Sequence, residues 1–337
     1  MDVRTALARI VARESLREAE MEAVFHQLMD GAATPAQMAG LLVALRMKGE
    51  TVDEITGAVR AMRAHAAAVR PRAAVVVDTC GTGGDQRGTF NISTAAALIA
   101  AGAGLTIAKH GNRAMSGTVG GADVLEALGV KIDLAPERVA ECIDTVGLGF
   151  LFAPTFHPAM KHAAGPRREL GVRTIFNLIG PLANPAGARH QVVGVFAAHW
   201  TEPLAQALGR LGSVHALVVH GDDGLDEISL AAPTQISEWK DGALRTFRVT
   251  PEELGVARCR GSDLDGGDSQ TAASIIHGIV AAAPGPRADI AVVNAAAAIY
   301  VGGLATSIAA GIDRARDAIR SGRARQKLEQ LVELTNR

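Results

Sequence analysis

The sequence predicts an α/β protein, with a small all-α N-terminal unit followed by a larger α/β unit whose mostly parallel central sheet is flanked by helices. Three observations carry this. Residues 1–70 show helical apolar spacing with readable start signals. From Ala73 onward, short β-rich runs alternate with helical stretches. Several of those runs are apolar throughout, as strands covered on both faces by helices should be.

Taken in order, Thr34-Pro35 sets an N-cap before a first-turn proline, and Met38, Leu41, Leu42 and Leu45 then mark one buried helix face. Thr51 and Glu54 form a capping-box pattern, followed by Val52, Ile55, Val59 and Met62 at helical spacing. Pro71 closes this unit. Strands are expected over 74–78, 105–109, 149–152, 191–196 and 215–220, and helices near 94–103, 123–128, 135–146 and 202–211. Asp241-Gly242, between two alternating runs, predicts a hairpin over 235–249. Helices over 271–282, 287–300, 307–321 and 324–334 end the chain. The Pro/Gly-rich passage 165–187 is either a loop or a crossing back to the helical unit. The expected division is therefore 1–70 against 73–164 plus 188–337.

Composition excludes several functions. The 34 Lys+Arg residues against 35 Asp+Glu give a net charge of -1, which argues against a general polyanion binder and so against nucleic acid. Only 3% of residues are aromatic, too few for a surface that stacks successive bases. Cys80, Cys142 and Cys259 have no C-x-x-C spacing, so neither a disulfide framework nor a zinc knuckle is supported. Arg4, Arg9, Glu14 and Arg17 break up the N-terminal apolar positions, leaving no signal-peptide core. No apolar run reaches the roughly 18 to 20 residues of a membrane span. A cytoplasmic protein is expected. The informative excess is glycine: 37 residues, about 11% against an average near 7%.

Those glycines cluster where chemistry is expected. Gly81, Gly83 and Gly84 directly follow the first strand, and Asn91, Ser93 and Thr94 precede an Ala-rich helix. Glycine lets backbone approach a ligand, and N–H groups at a helix start hold phosphate, so the segment reads as a phosphate cradle. It is not a Walker loop, and Gln86 stands where a Rossmann fingerprint needs its third glycine. Lys109-His-Gly-Asn-Arg113 follows the second strand and should face the same crevice, supplying cations and an amide. Asp222, Asp223, Asp226 and Glu227 crowd another strand end, an oxygen-rich set suited to Mg²⁺ that shares phosphate ligands. His157, Arg167 and Arg168 add cations near the middle of the chain, and Arg167 could pair with a carboxylate. Each segment also has a plainer reading: a tight turn, a solvated loop, an acidic surface turn, a structural histidine.

Taken together, GTGGD at 81–85, NIST at 91–94, KHGNR at 109–113, ADVLEALG at 122–129, HPAMKHAA at 157–164, RRELGVRTIFNLIGPLANPA at 167–186 and GLDE at 224–227 resemble the anthranilate phosphoribosyltransferase family, in family order and over almost the whole chain. The resemblance implies transfer of the 5-phosphoribosyl group from 5-phosphoribosyl 1-diphosphate (PRPP) to the amine of anthranilate, with release of diphosphate, in tryptophan biosynthesis. It implies Mg²⁺ as cofactor, a homodimer through the N-terminal helices, and a candidate association with the anthranilate synthase amidotransferase. Carried over by motif, Gly81, Gly83, Gly84, Asp85, Thr89, Asn91, Ile92, Ser93, Thr94, Lys109, Gly111, Asn112, Ser116 and Gly121 would hold PRPP. Gly81, Asn112 and Arg167 would contact anthranilate, and Ser93, Asp226 and Glu227 would hold the metal. No covalent catalyst is implied; Lys109 and Mg²⁺ would stabilise the leaving diphosphate.

The chain departs from the family at 114–121, reading Ala114-Met-Ser-Gly-Thr-Val-Gly-Gly121. Gly117, Val119 and Gly121 stand where serines are usual, and Thr118 where a lysine is common, which takes hydroxyls and a cation from a loop expected to cover PRPP. Two alternatives accompany this departure: a pyrimidine nucleoside phosphorylase-like enzyme on a related fold, and a non-catalytic PRPP-binding paralogue.

Overall fold

The computed structural model describes residues 1–84, 87–114 and 119–337. Four helices open the chain: α1 (Val3–Val11), α2 (Glu18–Met29), α3 (Pro35–Lys48) and α4 (Val52–Ala64). The expected caps are present. The Thr34 hydroxyl accepts the Gln37 N–H and the Gln37 side chain returns to the Thr34 N–H, and Thr51 and Glu54 repeat the exchange at α4. Glu54 is fully buried, yet its oxygens are taken up by the Leu16 N–H, the Thr51 N–H and the Lys48 ammonium, at 2.9 to 3.0 Å.

The α/β part then runs β1 (Val77–Gly81), α5 (Ile92–Gly102), β2 (Ile107–Gly111), α6 (Gly121–Ala127), α7 (Pro136–Val146), β3 (Leu148–Phe152), α8 (Ala153–Phe156), α9 (Lys161–Leu170), α10 (Ile175–Ile179), β4 (His190–Gly194), α11 (Thr201–Arg210), β5 (His215–Gly221), β6 (Thr234–Lys240), β7 (Ala243–Val249), α12 (Ser269–Val280), α13 (Pro286–Val301), α14 (Ile308–Arg320) and α15 (Arg323–Thr335). The sheet order is β3-β2-β1-β4-β5-β6-β7, parallel through β5 and antiparallel beyond it. Asp241 (φ 51°) and Gly242 (φ 78°) make the expected hairpin turn, both in the left-handed region that such turns require. β1 and β2 lie two to three residues later than their apolar runs indicate. Val77 pairs with both Ile107 and His190, so the neighbouring strands set the start, and Ala74 and Val75 stay exposed. No helix among the described residues is long and apolar enough to cross a membrane.

The 165–187 passage is not an open loop. α9 packs on α2 and α3, and α10 packs on α3 and α4. Phe25 of α2 meets Phe176 of α10 with ring centroids 5.5 Å apart. Arg63 on α4 ties the unit down further. Its guanidinium donates to the Leu182 carbonyl at 2.6 and 2.9 Å and to the Leu211 carbonyl at 3.3 Å, and burial pushes its pKa down to about 10. One apolar core runs from α1–α4 through Ile175, Phe176, Ile179 and Leu182 to Val193, Leu204 and Val218, on one face of the sheet. A second covers the opposite face with α5 and α12–α15.

At the far side of the sheet, Glu238 is buried between three donors: His215 Nε2 at 2.9 Å, the Tyr300 hydroxyl at 2.6 Å and Arg245 at 2.6 Å. Burial raises its pKa, but these hydrogen bonds outweigh that and hold it at about 2. A carboxylate depressed in the folded state adds stability above its ordinary pKa of 4.5, and this stability is lost as pH falls from there toward 2. Glu238→Leu is therefore expected to cost about 3 kcal/mol at neutral pH. Urea unfolding at pH 7 and at pH 3 checks this, the gap between parent and variant narrowing at the lower pH.

Candidate active site

The strand order reverses between β1 and β4, since β1 connects onward to β2 on one side while β4 lies on the other. A crevice at the carboxyl ends of the strands forms at such a switch point. The four strands around it, β2, β1, β4 and β5, all end in glycine, and a Cβ at each would collide. At Gly111 it would meet the Phe150 ring at 2.8 Å, at Gly81 the Asp226 carboxylate at 2.8 Å, at Gly194 the Asp226 carbonyl at 1.5 Å, and at Gly221 the Asp223 carboxylate at 2.5 Å. Part of the glycine excess thus lets the loop after β5 lie directly on the ends of β1 and β4. At Gly111 the residue requirement comes from Phe150.

That approach assembles the site. Asp226 Oδ2 accepts the Gly83 N–H at 3.0 Å, so an acidic residue from the end of β5 is bound to the glycine loop after β1. Thr82 N–H donates to the Gly194 carbonyl, and its hydroxyl accepts the Phe196 N–H at 3.1 Å. Gly83 and Gly84 have φ of 63° and 78°, where side-chain-bearing residues are strained. Of the other acidic residues, Asp222 is paired with Arg248, and Asp223 accepts the Ser229 hydroxyl at 2.8 Å. Asp226, by contrast, is turned toward the glycine loop through Gly83.

Lys109 projects from β2 into the same place. It is buried, and its ammonium donates to the Thr79 carbonyl at 2.6 Å and to Ser93 Oγ at 3.0 Å. Burial pulls its pKa below the ordinary lysine value, against the opposing charges of Asp78, Glu227 and Asp226. Asp78 is fully buried beneath it, accepting from the His110 N–H at 3.0 Å and Asn184 Nδ2 at 2.8 Å, with burial pushing its pKa up. Asn91 enters α5 at φ 64°, and its side-chain oxygen accepts the Thr94 hydroxyl at 2.6 Å. The first N–H groups of α5 lie beyond it, where a helix start favours an anion.

The other predicted residues fall around this centre. Ile92 is buried at the first position of α5, and Thr89 bridges to Asp265. A Cβ at Gly121 would have ordinary contacts with Thr94, Lys109 and Asn91, so this departure from the family leaves room beside the lysine. Gly120 has no such room, and its N–H and that of Ala114 both donate to the Asp123 carboxylate. Asn112 is exposed, with its side-chain oxygen accepting the Arg113 N–H at 2.8 Å. The calls on Asp85 and Ser116, and the departures at Gly117 and Thr118, lie outside the described residues. Arg167 sits half-buried on α9 with its guanidinium over the Phe176 ring at 5.2 Å. Burial lowers its pKa, and among the described residues it has no carboxylate partner.

Two arrangements escaped the sequence reading, and one expectation is corrected: His157, read as an added cation, is a buried imidazole whose pKa burial lowers to about 4. His110 and His157 are buried with ring centroids 5.1 Å apart, and His110 Nε2 and both His157 ring nitrogens have no hydrogen-bond partner among the described residues. Burial drives the His110 pKa well down and that of His157 to about 4, so both rings are neutral. Arg173 donates to the Gly84 carbonyl and lies over the Phe196 ring at 4.3 Å. It stood inside a recognised motif, but its partners are distant in sequence.

The arrangement sets the Ser93 hydroxyl, the Asp226 carboxylate and a buried cation around a backbone cradle, and among the described residues no three or more His, Cys, Asp or Glu side chains gather as a metal set of their own. Backbone N–H groups, a fixed ammonium and a carboxylate together suit a phosphorylated group. Known proteins agree. The helical bundle domain of the glycosyl transferase family matches residues 4–66, and the a/b domain of that family matches residues 73–325. The anthranilate phosphoribosyltransferase of Thioalkalivibrio sulfidiphilus is 56% identical over 99% of both chains, and that of Symbiobacterium thermophilum is 53% identical over 98% of both. The crystal structure of the enzyme from Thermus thermophilus superposes with a TM-score of 0.94 at 44% identity, covering 98% of this chain and 99% of the other. The Saccharomyces cerevisiae enzyme in complex with PRPP and Mg gives 0.89 at 26% identity, covering 99% and 98%. With both domains matched in order and more than half of the residues shared with a relative of equal length, the chain belongs to the anthranilate phosphoribosyltransferase family.

Proposed function

We propose that the crevice at the carboxyl ends of β1, β4 and β5 is where this chain joins anthranilate to PRPP, releasing diphosphate in tryptophan biosynthesis. The observation that carries the assignment is the meeting of Lys109, Ser93 and Asp226 around the Gly81–Gly84 backbone. The glycine loop and the start of α5 hold the diphosphate and ribose phosphate, with Asn91, Thr94, Lys109 and the 109–121 segment around them. Ser93, Asp226 and Glu227 present oxygens that suit Mg²⁺, which keeps water and phosphate among its ligands. Bound there, the metal supplies charge to the departing diphosphate. Gly81, Asn112 and Arg167 receive anthranilate, the Arg167 guanidinium taking its carboxylate.

The chemistry needs no nucleophile from the protein. The C1–O bond of PRPP breaks with its electron pair going to diphosphate, the neutral aromatic amine bonds to C1, and the amine then loses a proton. The chain's contribution is to align amine and C1 and to stabilise charge as it develops on the diphosphate. Lys109 suits the second task, because its ammonium is already fixed by Thr79 and Ser93 and needs little reorganisation. In this reading the 165–187 segment belongs with residues 1–70, as the support that carries Arg167, while 73–164 and 188–337 form the PRPP-binding domain. Two exposed apolar residues of the helical unit, Val11 and Met47, are consistent with a homodimer through the N-terminal helices. Association with an amidotransferase and a cytoplasmic location complete the reading.

The test mixes the purified chain with PRPP, Mg²⁺ and anthranilate, following loss of anthranilate and release of diphosphate. Ser93→Ala, Asp226→Asn and Glu227→Gln should each raise the Mg²⁺ concentration needed for half-maximal turnover. Arg167→Ala should raise KM for anthranilate about 10- to 100-fold, the loss of a charge-assisted hydrogen bond, with KM for PRPP little changed. Tight PRPP binding with no turnover would overturn the reading in favour of a non-catalytic paralogue, and phosphorolysis of a nucleoside in favour of the phosphorylase.

A further inference from the structure

Arg173 follows α9 in the turn formed by Gly171, Val172 and Arg173, and this turn is fixed at both ends. Gly171 caps α9 at φ 62°, its N–H bonded to the Arg167 carbonyl at 3.2 Å, and at the start of α10 the Thr174 N–H donates to Asn177 Oδ1 at 3.0 Å while the Asn177 N–H donates to the Thr174 carbonyl at 2.9 Å. From this base the Arg173 side chain crosses to the glycine loop. Its guanidinium donates to the Gly84 carbonyl, and its face lies on the Phe196 ring with 4.3 Å from the guanidinium carbon to the centroid. Phe196 is in turn bonded to the loop, its N–H donating to Thr82 Oγ1 at 3.1 Å. Gly84 has φ 78°, which favours glycine, and a Cβ there would lie 2.9 Å from Arg173 Nη2 and push the guanidinium aside.

We propose that Arg173 is a positioning residue that latches the Gly81–Gly84 loop in its ligand-binding shape, by joining Gly84 to the Phe196 platform. It acts through the loop. The latch spans the two half-sites of the reaction proposed above, on which its kinetic consequences rest. One end belongs to the turn that follows α9, the helix of Arg167, and the other to the proposed diphosphate cradle. A planar guanidinium suits both tasks at once, stacking by its face and donating from its edge, which an ammonium cannot do.

Four measurements on the full chain test this: steady-state kinetics, PRPP calorimetry, hydrogen exchange of the ligand-free glycine loop, and rescue by guanidinium ion. Arg173→Ala should lower kcat/KM for PRPP about 10- to 100-fold, as a slight misplacement of binding groups does, with KM for anthranilate at saturating PRPP nearly unchanged. Guanidinium ion should recover part of the loss, and Arg173→Lys should behave like the alanine variant. PRPP affinity equal to the parent's would overturn the latch, as would equal losses for both substrates without rescue. Should Arg173→Ala fail to fold, Phe196→Leu keeps the guanidinium and removes its platform, and weaker PRPP binding is again expected. Unchanged affinity in that variant also overturns the proposal. Hydrogen exchange of the 81–84 segment should quicken in either variant without any ligand. If the parent itself fails to turn over, the reaction reading falls, while slower or unchanged exchange in the variants separately decides against the latch.

Discussion

Replacing Lys109 with methionine is expected to lower kcat/KM for PRPP by about 10²- to 10³-fold, the usual loss when one preorganised donor to a developing negative charge is removed. Among the described residues, the ammonium is the buried cation fixed between the glycine loop and the start of α5, through Thr79 and Ser93. Methionine keeps much of the volume, so the loss reports charge more than packing. The fold should suffer less, because the Asp78 left beneath retains Asn184 and the His110 N–H and can take up a proton. The pH dependence has a defined sign. In the proposed reaction Lys109 would act as the cation, and burial sets its pKa below the ordinary lysine value of 10.5. Activity with free enzyme should therefore fall on the alkaline side before pH 10.5, and that limb should disappear in Lys109→Met. An intact alkaline limb in the variant would show that another group titrates there.

Gly194→Ala should be nearly as damaging, although Gly194 carries no functional group. The added methyl would sit 1.5 Å from the Asp226 carbonyl oxygen and 3.2 Å from the Asp226 Cβ, so the loop after β5 must move. Asp226 then leaves the Gly83 N–H, and the carboxylate and the cradle lose their common position. Turnover is expected to drop about 100-fold, with a higher Mg²⁺ requirement and a stability loss of about 1–3 kcal/mol from overpacking. Mg²⁺ titration of activity and urea unfolding measure the two parts. Gly278→Ala is the control. It lies inside α12, where a Cβ meets only Ala283 at 3.7 Å, and it should leave activity unchanged while stabilising the helix by up to about 1 kcal/mol. Equal behaviour of the two alanine variants would show that Asp226 is not held by this contact.

Local chemistry was legible where it is decided locally. Thr34 with Gln37, Thr51 with Glu54, and Asp241-Gly242 each complete their interaction within a few residues, and each is found as expected. Strand starts were less legible, because Val77 begins β1 only by virtue of Ile107 and His190 beside it. The same distinction divides the site. Lys109, Ser93 and Asp226 announced themselves by type and by their places at the ends of strands and the start of a helix. Asp222 and Asp223 were equally visible and proved to be engaged by Arg248 and Ser229. Arg173 gave no signal of its own, and His110 and His157 were visible only separately, since their pairing depends on groups that only the folded chain brings near.

The apolar core shared by the opening helices and the sheet has a consequence for the order of events during synthesis. α4 ends at Ala64, but Ile175, Phe176, Ile179 and Leu182, which fill its inner face, emerge roughly 110 residues later, a delay on the order of 5–20 s at ordinary elongation rates. Until then the nascent helices carry an uncovered apolar stripe, and the ribosome-bound chain is open to capture by chaperones or to pairing with a neighbouring copy. Docking of 161–183 begins to cover that stripe, and Val193, Leu204 and Val218 complete it later still, so the N-terminal unit can mature only after β5 has emerged.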